Sequence, residues 1–152
     1  MNRSVWSAAA MALAALGPTA CSEAPAPAAE EAAGPEGIAV TNARLMLPAV
    51  AGNPGAAYFD VGNTGSANRV IRAVSIAGAG SADMHTKDMQ SVLQVAVPPG
   101  GTTKFEPGAQ HVMAMDLADS VTAGSQAEVT LTFVGGGELK FPAEVRAAGD
   151  ER

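Results

Sequence analysis

His85 and His111 are the only histidines of the chain, and Met84, Met89, Met113 and Met115 lie beside them. Imidazole nitrogen and thioether sulfur are both neutral donors. The thioether is soft: it suits monovalent copper and not the oxygen-seeking ions magnesium and calcium. This window therefore points to a Cu(I) site. His111-Val112-Met113-Ala114-Met115 has the alternation of a strand, which would put His111, Met113 and Met115 on one face. Met84 and His85 are neighbours, so the same geometry turns them to opposite faces and leaves Met84 the weaker ligand candidate. Met115 and Met46 read as packing, the usual role of a methionine at an alternating position. Asp83 and Asp88 flank the first histidine, where they read as solvated loop carboxylates or as groups that orient an imidazole.

The elements that must position these residues are short strands. Around 128–134 and 138–145 apolar and polar residues alternate, with Gly135-Gly136-Gly137 between the two runs as a hairpin turn. Earlier runs at 38–47, 56–62, 69–77, 91–97 and 102–105 are separated by Asn63-Thr64-Gly65, Pro98-Pro99-Gly100-Gly101 and similar turn-forming residues. The segment 105–110 reads as a turn delivering the strand of His111. No segment after the leader shows a helical period. The expectation is an all-β fold, an antiparallel β-sandwich with Greek-key connections. Pro142 inside the last strand calls for an edge position or a bulge. Tyr58 is the one tyrosine, so aliphatic side chains with Phe59, Phe105, Phe133 and Phe141 must fill the core.

The chain divides into four parts. Residues 1–21 form a targeting leader: Arg3, a short apolar run, then small residues before Cys21. The apolar run is too short to remain as a membrane span. Cys21 is the only cysteine and stands where a bacterial lipoprotein is lipidated, although Pro18 occupies a position that is usually aliphatic. Acyl chains there would anchor the protein to a membrane without crossing it. Residues 22–36, rich in Ala, Pro and Glu, form a flexible acidic tether. Residues 37–147 are one domain of ordinary size, and 148–152 a polar tail. The net charge is −6, one unit more negative without the leader's Arg3, and no basic patch is visible. Nucleic acid is therefore not an expected partner.

Several functions lack their residues. A blue-copper electron-transfer site needs a thiolate beside its two histidines, and Cys21 lies at the processing site. Nucleophile-elbow and zinc-protease motifs are missing as well, so the chain is not expected to be an enzyme.

The order Ala57-Tyr58, Asn63-Thr64-Gly65, Met84-His85 with Met89, Pro99-Gly100-Gly101, Pro107-Gly108 and His111-Val112-Met113-Ala114-Met115-Asp116-Leu117 resembles the PCu(A)C periplasmic copper chaperones. The resemblance spans about Gly37 to Val145. It implies a cupredoxin-like sandwich that binds Cu(I) through two His and two Met, acts as a monomer in the periplasm, and hands copper to a respiratory oxidase subunit or its assembly factor. By position the matching ligands are His85, His111 and Met113. The family's remaining methionine has no counterpart in Val92-Leu93-Gln94-Val95-Ala96-Val97, and Met89 is its natural substitute. The competing expectation is a membrane-tethered sandwich that binds a partner and has lost its metal site.

Overall fold

A computed structural model describes residues 34–150. Cys21, the leader and nearly all of the tether lie outside the described residues. Nine strands follow in order: β1 (Ile38–Met46), β2 (Gly55–Asn63), β3 (Arg69–Ile76), β4 (Ser81–His85), β5 (Val95–Val97), β6 (Thr102–Phe105), β7 (His111–Met115), β8 (Gln126–Phe133) and β9 (Glu138–Arg146). They form one curled sheet in the order β4-β7-β2-β1-β9-β8-β3-β5, with β6 added on β2. The expected all-β architecture is present, with one change. β1 and β9 run parallel, Arg44 beside Glu144 and Met46 beside Arg146, so the sheet is mixed and not wholly antiparallel. The first and last strands are brought together by the curl, and their common direction is set by the path of the chain between them.

Alternation does the folding work. In β2 every second residue from Gly55 is buried, and β8 buries Ala127, Val129, Leu131 and Phe133. These inner faces close on a core in which Phe59 stacks on Phe105 at 4.5 Å and meets Phe141 edge-on at 5.3 Å. Such ring pairs add about 0.5–1.5 kcal/mol each beyond their area burial. Gly135, Gly136 and Gly137 all have positive φ, the conformation that makes glycine the fitting residue of this turn.

Pro142 sits on β9, an interior strand, opposite Glu128 of β8. The pairing of β9 with β1 is confined to 144–146, so it does not reach the proline. The local edge arises because β1 shifts register between Thr41 and Arg44, with Asn42 left-handed (φ 57°) and its amide donating to Asp60 at 2.8 Å.

Among the described residues one polar side chain, Asn63, is fully buried. Its amide donates to the carbonyls of Ala67 and Val97, both at 2.9 Å, and its oxygen accepts from the Gly65 N–H at 3.0 Å. Asn63 thereby ties the end of β2 to the turn after it and to β5.

Candidate metal centre

Strands β4 and β7 pair antiparallel, and the register is Ser81 with Met115, Asp83 with Met113, and His85 with His111. Partners in a ladder point to the same face, so these six residues share one surface of the sheet. The intervening residues, Met84, Val112 and Ala114, all point into the core. Met84 is 4% exposed and cannot serve as a surface ligand. His111, Met113 and Met115 are half-buried on the other side.

The two imidazoles close the ladder. Their ring centres are 6.1 Å apart and their planes are inclined at 65°. Two nitrogen–metal bonds of about 2 Å each span a gap of this kind. Nδ1 of His111 lies 3.0 Å from the Ala109 carbonyl oxygen. A carbonyl can only accept, so Nδ1 carries the proton and Nε2 keeps its lone pair, the usual arrangement of a histidine prepared as a ligand. Nδ1 of His85 is buried and has no hydrogen-bond partner. A buried polar atom left unpaired costs about 1–3 kcal/mol and calls for an explanation such as an ion. The donor chemistry and the orphaned nitrogen both fit a soft cation.

Two turns deliver the pair. Before β7, the Glu106 N–H donates to the Gln110 carbonyl at 2.9 Å, closing the expected loop that brings the Ala109 carbonyl to Nδ1 of His111. After β4, the Thr86 N–H donates to the Gln90 carbonyl and the Met89 N–H to the Thr86 carbonyl. The chain then returns so that Ser91 bridges to His85 and the Val92 N–H donates to the Met84 carbonyl. Met89 stands in this loop with φ 61° and is 57% exposed. It is thus carried on a flap beside His85, whereas His85, His111 and Met113 are fixed by the ladder. Asp88 is engaged by Lys87 at 2.9 Å, and Asp83 is exposed beside Met113. Nδ1 of His111 faces the Ala109 carbonyl and Nδ1 of His85 has no partner, so neither carboxylate is bonded at these nitrogens.

The segment 92–97 has no donor for a soft metal. Val95 and Val97 are buried in the core and Leu93 is 83% exposed. Among the described residues there is also no group of three or more His, Cys, Asp or Glu placed to hold an ion. The available set is two imidazoles and thioethers.

The all-β fold is shared with PCuAC domains. A copper-bound PCuAC domain from PmoF2 is similar with a TM-score of 0.67 and 26% identity, over 77% of this chain and 97% of that one. An apo PCuAC domain from PmoF1 gives a TM-score of 0.66 and 26% identity, over 73% of this chain and 94% of the other. The Cu(I) form of DR1885 from Deinococcus radiodurans shares the fold, with a TM-score of 0.60 and 24% identity, over 74% of this chain and 82% of its own. In sequence, residues 38–145 match the family model "Putative lipoprotein LpqE-like". "Putative lipoprotein Lxx21020" of Leifsonia xyli subsp. xyli is 31% identical over 118 residues, 72% of this chain and 71% of the relative. The chain belongs to the LpqE-like lipoprotein family.

Proposed function

We propose that this protein is an exported, lipid-anchored Cu(I) metallochaperone of the periplasm. It would deliver copper to the assembly of a respiratory oxidase or buffer the ion there. The observation that carries the reading is the cross-strand pair of His85 and His111 with Met113 on the same half-buried face. The likeness to a copper-bound PCuAC domain supports it, and the lipoprotein family supports lipidation at Cys21.

Transfer, not catalysis, is the chemistry that such a site favours. His85, His111 and Met113 hold the ion from a rigid ladder, and Met89 supplies a fourth contact from the loop. All four donors are neutral, so no thiolate binds the ion so tightly that it cannot leave. Met89, on the exposed flap, is the donor most easily displaced. An acceptor presenting cysteine or histidine can replace the four donors one at a time, starting there.

The test is anaerobic competition for Cu(I) against a chromophoric chelator, with residues 22–152 beside His85→Ala and His111→Ala. One ion bound by the parent and lost by both variants is the expected result. Absence of competitive binding in the parent would leave the other reading, a tethered interaction module, which the 83% exposure of Leu93 favours.

A further inference from the structure

Met46 reads from the sequence as packing, but the register places it elsewhere. On β1 it lies opposite Ala56 of β2, and Ala56 lies opposite Met113 of β7. Met46, Ala56 and Met113 therefore form one row across three strands and share one face. The adjoining row, Leu45, Ala57, Val112 and Met84, is the buried one. Both methionines are half-buried on the outer face, and neither belongs to the core. Two strand spacings separate their Cα atoms, roughly 10 Å. Only the methyl group of Ala56 stands between them. Unbranched thioether side chains, each with three rotatable bonds, can lean together over so small a residue.

We propose that Met46 and Met113 form a second, weaker Cu(I) position, with Met113 shared between it and the histidine pair. The inference rests on the copper reading above and extends it from one position to two. Monovalent copper accepts few ligands and prefers soft ones, so a pair of thioethers can hold it briefly. An ion pivoting on Met113 would exchange the imidazoles for Met46 one donor at a time.

The charges along the row set the order of affinity. Beyond Met113 stands Asp83, and beyond Met46 stands Arg146, whose guanidinium is engaged by Glu144 at 2.7 Å. The Asp83 carboxylate favours a cation at its end, whereas the Arg146–Glu144 pair at the other end adds no net charge. The histidine position therefore fills first and the Met46 position second. The row gives the ion a way on or off the site from the β1 side, away from the loop that carries Met89.

The experiment is an anaerobic titration of the full-length mature protein with Ag(I), a redox-inert substitute for Cu(I), followed by NMR of methionine methyl groups and histidine rings. The first equivalent should shift His85, His111 and Met113. The second should shift Met46 and move Met113 again, leaving Met84 unmoved. Met46→Leu, a volume-conserving change, should abolish the second response and preserve the first. Ala56→Val, which fills the gap without removing a donor, should weaken the second response at least several-fold. A Met46 methyl unmoved through two equivalents, or a second response that survives Met46→Leu, overturns the proposal. A first equivalent that leaves both histidines unmoved would overturn the copper reading itself, a separate and distinguishable result.

Discussion

His85 and His111 are the terminal cross-strand pair of the β4–β7 ladder, so the distance between their rings is set by strand pairing and not by a loop. They are distant in sequence and adjacent in space. The pair is thus as rigid as the sheet on which it stands. Met89, the fourth donor of the proposed site, stands instead on the exposed loop after β4.

Replacing either histidine by alanine should lower Cu(I) affinity beyond the roughly 10–100-fold that loss of a supporting contact costs. In the metal-free protein His111→Ala should change thermal unfolding little, whereas His85→Ala removes an unpaired buried nitrogen and should not lower it. Chelator competition and a melting curve on the same samples check both halves of this statement.

Met89→Ala should weaken Cu(I) binding less than a histidine substitution does, with no loss of stability, since the side chain is 57% exposed. Its clearest effect should be on exchange. Transfer of the ion to a thiol acceptor, followed by stopped flow, should change in rate more than the affinity changes.

Met84 separates packing from ligation. Met84→Ala opens a hole in the core and should cost about 2–5 kcal/mol of folding stability. Met84→Leu conserves volume, should cost less than about 1.5 kcal/mol, and should bind Cu(I) like the parent. Denaturant titration reads the first pair of values and chelator competition the last.

Asn63→Ala removes two donated bonds and one accepted bond in a buried place. The carbonyls of Ala67 and Val97 lose those donors, and a loss on the order of 3 kcal/mol is expected. The lowered denaturant midpoint should come with unchanged Cu(I) affinity per folded molecule, because Asn63 lies at the opposite end of β2 from the residues that pair with β7.

Much of this was legible in the residues because alternation is a local property. The hairpin of β8 and β9, the strand His111–Met115 with its three outward donors, and the inward turn of Met84 all follow from a period of two. What depends on distant pairing was not legible. The expected strand at 91–97 survives only as Val95–Val97, because Ser91 is taken up in a bridge to His85 and Leu93 points into solvent. The parallel contact of β1 with β9 and the bulge at Asn42 likewise have no local signature. Met46 is the instructive case: its own strand says only that it faces away from Leu45. What it faces depends on Ala56 and Met113, two strands that the chain adds later.

The long sequence separation of β4 and β7 has a consequence for how long each folded molecule survives. An unfolded chain keeps His85 and His111 on separate segments, each with only its neighbouring methionines, so the ion binds the folded form more tightly. Ion and fold are then linked by mass action: free ion at a thousandfold excess over its dissociation constant adds at most about 4 kcal/mol to the free energy of unfolding. A loaded molecule would open less often to proteases than an empty one. The same ladder that orders the ligands would let copper supply determine how long each molecule lasts.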